Sequence, residues 1–256
     1  FTLRVTAPIT EDLSTSLRYN YTKLDYNSGD LDELSSPYQN VVINGPWVRS
    51  SISHSLTYDT IDDRTLPREG MFAQITQEFA GLGGDSDFYK ISGKARYFHT
   101  ILEDADVIGS IAVSGGHMWG RNDVKVYDQF TLSANELRGF ESAGIGPRAT
   151  STRDSIGGTT YFTASAEASF PLPFIARDSG FRGAVFVDAG TLYGNDVKTV
   201  AADKVRGEDM SLRASVGASI IWASPFGPLR VDYAVPIKKE SFDEVQRFKF
   251  GIATQF

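Results

Sequence analysis

Hydrophobic and polar residues alternate along most of this chain, and the alternation breaks at clusters of glycine, aspartate, asparagine and proline. The clearest example is the segment 212–222. One of its two faces carries only apolar side chains, namely Leu212, Ala214, Val216, Ala218, Ile220 and Trp222. Successive side chains of a β-strand point to opposite faces, so the pattern predicts strands with one apolar and one polar surface. Helical periodicity is nearly absent, and we therefore expect an all-β protein.

The alternating segments and the turn residues between them predict eleven strands. Their expected boundaries are 1–8, 12–27, 47–61, 70–81, 87–101, 105–120, 158–172, 180–194, 210–223, 228–237 and 246–256. Many of these strands are longer than the five or six residues typical of soluble sheets. A strand that crosses the hydrocarbon layer of a membrane needs about nine to eleven residues. Strand length therefore favours an antiparallel membrane barrel over a soluble sandwich.

The predicted connections alternate between short and long. The short ones are 8–12, 62–70, 100–104, 171–179 and 224–228. The long ones are 28–46, 121–157, 195–209 and 238–245, and the connection at 81–87 is the exception, because it is short and lies on the long side. Short turns at one end and long loops at the other are typical of outer-membrane barrels. A soluble β-sandwich is the alternative, since its loops need not alternate.

Composition and charge narrow the function classes. The 256 residues are 41% hydrophobic, which is enough for an ordered fold. The absence of cysteine excludes a thiolate nucleophile, a disulfide framework and a cysteine-ligated metal. The net charge of −7 argues against a nucleic-acid binder, which normally presents a basic face.

The chain has no stretch apolar enough for a transmembrane helix. Its longest apolar runs, such as 184–187, have four residues, whereas a transmembrane helix needs about twenty. The chain also starts at Phe1 inside an alternating segment, without an initiator methionine or a signal peptide. We therefore expect a single domain over 1–256 that is a piece of a longer protein.

Motifs for catalysis, metal binding or cofactor binding are missing from the sequence. The histidines His54, His99 and His117 lie in different predicted strands, without the spacing of metal ligands. The glycine-rich segment 81–87 lacks the spacing and final glutamate of a calcium loop, and we interpret it as a tight turn. We therefore expect no enzymatic activity, no metal and no cofactor.

The most informative segment is 136–148, which lies within the longest connection. Arg138 there could be a solvated charge, or an anchor that reaches into the barrel and meets acids. Strand alternation places Glu167 and Asp188 on the polar face, where a carboxylate at membrane depth usually needs a partner. An arginine fork suits two such acids. The alternatives are two separate water-exposed charges and, least favoured, a catalytic carboxylate pair.

Several segments, taken in order, resemble the BamA family of outer-membrane β-barrel assembly factors. Leu137-Arg138-Gly139-Phe140 resembles the signature of that family's sixth extracellular loop. The other similar segments are 56–59, 67–70, 144–148, 156–158, 170–173, 187–191, 222–229 and 236–239. The resemblance therefore covers essentially the whole chain.

The resemblance implies a fold and a function. Members of the family have sixteen antiparallel strands preceded by periplasmic POTRA domains, so this chain would hold about the last eleven strands. The segment 121–157 would be a long extracellular loop folded into the lumen. The protein would lie in the outer membrane and insert nascent β-barrel proteins through a lateral seam, with periplasmic accessory lipoproteins as partners. An incomplete barrel of this kind should not close alone, because the strand at Phe1 lacks its neighbour.

The resemblance also implies two groups of functional residues. The loop-anchor cluster would comprise Arg138, Gly139, Phe140, Glu167 and Asp188. The C-terminal strand would carry the β-signal through Phe248, Phe250, Ile252 and Phe256. A two-partner-secretion transporter or a translocation-and-assembly relative of the same superfamily remains an alternative. A passive porin and an outer-membrane hydrolase remain further alternatives from other classes.

Overall fold

The computed structural model describes residues 1–25, 31–122, 124–173, 175–176, 179–198, 204–224 and 227–252. Eleven strands form one antiparallel sheet in which each strand pairs with its neighbours in chain order. They are β1 (Thr2–Pro8), β2 (Leu13–Leu24), β3 (Trp47–Asp59), β4 (Gly70–Gly84), β5 (Phe88–Leu102), β6 (Val107–Gly120), β7 (Thr160–Pro171), β8 (Phe181–Tyr193), β9 (Arg213–Ser224), β10 (Gly227–Lys238) and β11 (Phe248–Ile252). The prediction of an all-β antiparallel protein with eleven sheet strands is confirmed.

Small elements in the connections were not predicted. An α-helix, α1 (Ser36–Ile43), and a 3-10 helix (Leu31–Glu33) occupy the connection between β2 and β3, and a second 3-10 helix spans Val126–Asp128. Helix α1 has only eight residues and carries a proline in its first turn, so its sequence shows little periodicity. No helix in the described ranges is long and apolar enough to span a membrane.

The two faces of the sheet differ in polarity, as the alternation predicts. One face leaves large apolar side chains exposed along its length, including Leu17, Ile75, Ile111, Val113, Phe162, Val187, Val216, Ile220 and Phe250. An apolar surface of this extent is unusual for a protein that faces water on all sides and is typical of contact with lipid. The opposite face carries the polar and charged residues, and we call it the polar face.

Strands β1 and β11 are the two edges of the sheet. Among the described residues they are not hydrogen-bonded to each other, and every residue of β1 is exposed. The described strands therefore form an open sheet, in agreement with the expectation that they do not close into a barrel by themselves.

The hydrophobic core lies between the polar face and the connection from β6 to β7, which we call the long loop (121–159). Two clusters of buried side chains join the long loop to the sheet and to the other loops. The first is Ala80, Phe88, Met118, Val124, Val126, Ala149, Ile156 and Val197, and the second is Leu132, Leu137, Phe140, Ile145 and Leu192. The long loop thus has a packed interior of its own, as a connection of this length requires.

Two short strand pairs also hold the long loop. Gly139–Phe140 pairs with Val245–Gln246, which precede β11, and Arg148–Ala149 pairs with Val205–Arg206, between β8 and β9. These pairs satisfy backbone groups that the loop would otherwise leave unpaired.

Candidate functional site

Local packing determines where Arg138 points. Leu137 and Phe140 are both buried in the second hydrophobic cluster. The preceding turn is fixed by Glu136, whose Oε2 accepts hydrogen bonds from the backbone N–H and the hydroxyl of Ser133 at 2.8 and 2.9 Å. With its neighbours held in the core, Arg138 reaches the polar face of the sheet.

Arg138 is bound by two acids, a serine and an aromatic ring. Its Nε and Nη2 donate to the two carboxylate oxygens of Asp188, both at 2.7 Å, and its Nη1 donates to Glu167 Oε2 at 2.6 Å. Nη2 also donates to Ser165 Oγ at 2.9 Å, and the guanidinium carbon lies 3.4 Å from the ring centroid of Phe186. The structure thus brings together the arginine and both acids that the sequence singled out.

The register between β7 and β8 explains this set of partners. Glu167 lies directly opposite Phe186, and Ser165 lies directly opposite Asp188. Residues two apart on a strand share a face, so the four side chains form one patch on the polar face. The patch offers two carboxylates, a hydroxyl and an aromatic ring, which together match a planar cation.

Glycines allow the loop and the ring to approach the sheet closely. Gly139 has a φ of +93°, and a Cβ atom there would lie 3.3 Å from the Cβ atoms of Ala234 and Ser215. Gly217 lies opposite Phe186 in β9, and a Cβ atom there would come within 2.4 Å of the Phe186 ring. The absence of side chains at both positions therefore lets Arg138 settle on the ring.

A second arginine was missed by the sequence reasoning. Arg230 on β10 donates from Nη1 and Nη2 to the two oxygens of Glu167, at 3.0 and 2.6 Å. It also bonds Asp232 Oδ1 through Nε and Ser219 Oγ through Nη2, both at 2.6 Å. The available signal was the alternation over 228–237, which places Arg230 and Asp232 on the polar face of a membrane-length strand.

The two acids stabilise the charged form of Arg138. Burial acts to lower the pKa of Arg138, but the hydrogen bonds and charge of Asp188 and the charge of Glu167 outweigh burial and raise that pKa. Both acids are already bonded to guanidinium groups, so the arrangement suits an anchor better than proton transfer. In the described residues, no group of three or more histidine, aspartate and glutamate side chains could hold a metal ion.

Two of the predicted β-signal residues, Phe248 and Phe250, lie away from this cluster, on the apolar face. Phe248 and Phe250 are 67% and 73% exposed and lie opposite Tyr233 and Val231 of β10. Ile252 ends β11 opposite Leu229. Phe256, the last of the predicted residues, lies outside the described residues.

Comparison with known proteins gives consistent matches. A family model described as the Omp85 superfamily domain matches residues 1–256. The outer membrane protein assembly factor BamA of Neorickettsia risticii (strain Illinois) is 37% identical over 214 residues, which are 83% of this chain and 28% of that protein. The sorting and assembly machinery component 50 homolog of Homo sapiens is 29% identical over 227 residues, 83% of this chain and 47% of that protein.

A solved structure shares the fold. The crystal structure of BamA from Haemophilus ducreyi lacking POTRA domains 1-3 superposes with a TM-score of 0.77 at 24% identity, over 97% of this chain and 52% of that chain. The chain therefore spans roughly a quarter to a half of the length of these proteins.

The resemblance to BamA inferred from the loop and the last strands is confirmed by these matches. The BamA relatives are outer-membrane proteins, and the exposed apolar face of the sheet suits contact with lipid. The chain is accordingly a segment of an outer-membrane β-barrel. Because the family model matches it from Phe1 to Phe256, the chain belongs to the Omp85 superfamily.

Proposed function

We propose that this chain is the C-terminal barrel portion of an assembly factor that folds client β-barrel proteins and inserts them into the outer membrane. The names of the BamA and sorting-and-assembly relatives support this function. The observation that carries the proposal is the buried ion-pair network of Arg138, which holds the long loop against the polar face. A loop fixed there keeps one wall of the barrel rigid while a seam elsewhere opens.

The mechanism is the pairing of client strands at an open strand edge. Each unpaired backbone group in lipid costs several kcal/mol, so a client strand needs hydrogen-bond partners throughout insertion. A seam edge such as that of β11 supplies these partners by β-augmentation. The client forms no covalent bond to the protein and needs no nucleotide, and we therefore propose a function without enzymatic activity and without a cofactor.

The partners follow from the same mechanism. Nascent outer-membrane β-barrel proteins would be the clients, and the surrounding bilayer would be the second surface that the protein contacts. Periplasmic accessory lipoproteins, expected from the family resemblance, would deliver clients or regulate the seam. Nucleic acid is not an expected partner because the chain carries a net charge of −7.

Reconstitution of the full-length protein tests the proposal. The full-length protein in liposomes should fold a urea-denatured client barrel into a protease-resistant form faster than protein-free liposomes do. The Arg138→Ala variant should slow this folding at equal protein content, and the Arg206→Ala variant should not, because Arg206 is exposed. Equal folding with and without the protein would contradict the proposal, and passage of the unfolded client across the membrane would indicate a transporter instead.

A further inference from the structure

The long loop contacts the terminal strand β11 as well as strands β7 and β8. Asn135, three residues before Arg138, accepts a hydrogen bond at its Oδ1 from the Lys249 ammonium of β11. Gly139–Phe140 of the same loop pairs with Val245–Gln246, immediately before β11. The long loop therefore contacts the chain on both sides of the start of the terminal strand.

A second set of contacts links the long loop to β11 through side chains of β7 and β10. Arg138 and Arg230 share Glu167, and Arg230 also bonds Asp232 on its own strand. Asp232 is the register partner of Lys249, so opposite charges face each other across the β10–β11 pair. The contacts thus run from the loop to β7, from β7 to β10, from β10 to β11, and from β11 back to the loop.

The residues that form this closed series of contacts, which we call the circuit, surround one cavity. Asn135, Arg138, Glu167, Arg230, Asp232 and Lys249 all line the same space of about 430 Å³ on the polar face. Glu167, Arg230 and Asp232 have 15%, 18% and 8% of their side chains exposed, so water only partly screens their charges. Displacement of one charged side chain of the circuit therefore changes the electrostatic energy of the others.

We propose that Arg230, Lys249 and Asn135 are positioning residues that couple the long loop to the terminal strand, and that the Asn135–Lys249 contact must break for the seam to open. The inference rests on the proposed assembly function, because it assigns a role in seam opening. Among the described residues, β11 pairs with β10 through the register from Phe248 to Ile252. The contact of Lys249 with Asn135 ties this strand to the long loop in addition to that backbone pairing.

Reversible crosslinking in the full-length protein tests the coupling. The chain contains no cysteine, so cysteines at Asn135 and Lys249 form a unique pair within it. A reducible bifunctional thiosulfonate reagent replaces the length of the lysine side chain. We expect the crosslink to slow client folding in liposomes at least about tenfold, with recovery after reduction, because it removes the open state from the population.

The matched control joins the same loop to the β8–β9 connection through Gln129→Cys and Asn195→Cys, whose native side chains are hydrogen-bonded at 3.1 Å. This crosslink should leave the folding rate within about twofold of the uncrosslinked protein, because it lies away from β11. Equal folding rates for the two crosslinked proteins would overturn the inference.

Hydrogen exchange gives a second readout that does not depend on client assembly. In the Lys249→Met variant, amide exchange in the segment 245–252 should accelerate about tenfold, because local opening becomes easier. The Lys249→Arg variant retains the charge and should stay within about twofold of the wild-type exchange rate. Unchanged exchange in Lys249→Met would contradict the coupling. A wild-type protein that folds no client would instead contradict the proposed function, while the exchange result would still decide the coupling.

Discussion

Glu167 and Arg230 form a bidentate ion pair between strands that are not neighbours. Nη1 and Nη2 of Arg230 lie 3.0 and 2.6 Å from the two oxygens of Glu167, and β8 and β9 lie between the strands that carry them. Glu167 also accepts a hydrogen bond from Arg138, near the middle of the long loop. One carboxylate therefore connects the loop to two separate parts of the wall.

Removal of the loop arginine should release the loop from the wall. The Arg138→Ala variant leaves Asp188 buried without its cation, and we expect a loss of about 3–5 kcal/mol in the free energy of unfolding. Urea unfolding in vesicles, followed by tryptophan fluorescence, measures the loss. Trypsin should also cleave the variant at Arg148, which is 3% exposed in the folded protein. A variant with wild-type stability and wild-type resistance to trypsin would show that Arg138 does not anchor the loop.

The shared carboxylate should couple to the second arginine. Glu167→Gln and Arg230→Gln should each destabilise the protein by about 2 kcal/mol or more, and the double variant should lose about 1–3 kcal/mol less than the sum. The same double-mutant cycle on the more solvent-exposed pair of Asp87 and Arg121, whose side chains are 23% and 58% exposed and lie 3.7 Å apart, should give less than about 1 kcal/mol. Additive losses at Glu167 and Arg230 would mean that their contact contributes nothing to stability.

A methyl group at Gly139, next to Arg138, should strain the backbone of the long loop. Gly139→Ala places a Cβ atom on a backbone with a φ of +93°, 3.3 Å from two neighbouring Cβ atoms, and should destabilise the protein by about 1–3 kcal/mol. Gly93→Ala is the control, since Gly93 has no positive φ and its nearest contact would be 3.7 Å away. Thermal or urea unfolding of the two variants in the same lipid compares them, and equal stability would exclude strain at Gly139.

An ion-pair cluster in the short turns should respond to acid. Burial acts to raise the pKa of Asp106, but hydrogen bonds from Arg182 and Arg68 outweigh burial and lower it from its ordinary value of 3.8. A lowered pKa means that the stability from this cluster is present above pH 3.8 and is lost as the pH falls through the still lower folded pKa.

The Asp106→Asn variant gives the measurement for this cluster. The difference in unfolding free energy between wild type and Asp106→Asn should be largest near neutral pH and should shrink as the pH falls below 3.8. A difference that grows on acidification would have the wrong sign for a carboxylate stabilised in its charged form.

Adjacent positions on β6 should distinguish the lipid face from the polar face. Val113 is 40% exposed on the apolar face, and Val113→Arg should cost about 2–4 kcal/mol if that face lies in the bilayer. Ala112, the preceding residue, lies on the polar face opposite Arg96 and Ser165, so the charge introduced by Ala112→Glu should be tolerated far better. Membrane insertion of the two variants, measured as the heat-resistant folded fraction, should separate them, and the reverse order would place lipid on the opposite face.

Most of the sheet could be predicted from the sequence because successive side chains of a strand point to opposite faces, so apolar and polar residues alternate. The same alternation placed Glu167 and Asp188 on the polar face, and the register confirms that their strands are neighbours. The boundaries were less accurate at strand ends, as for β3, which ends at Asp59 and not at 61.

The rest of the site could not be derived from alternation. Arg230 meets Glu167 across two intervening strands, and a period of two residues does not encode which distant strands converge. The contact of Asn135 with Lys249 depends on the path of the long loop, which packing of Leu137 and Phe140 determines. Helix α1 was missed because tertiary contacts hold it, including a hydrogen bond from the Tyr38 hydroxyl to the carbonyl of Ser155 at 2.8 Å.

The ion pair of Glu167 and Arg230 also shows that the sheet bends. The register places Glu167 level with Ala234 of β10, four residues from Arg230. In a flat sheet the two backbones would lie roughly 14 Å apart across the strands and about 13 Å apart along them. A glutamate and an arginine that project side by side from a flat surface do not cover that span. Strands β7 to β10 must therefore curl toward their polar side, because this contact can form only across a surface that is concave like the inner wall of a barrel.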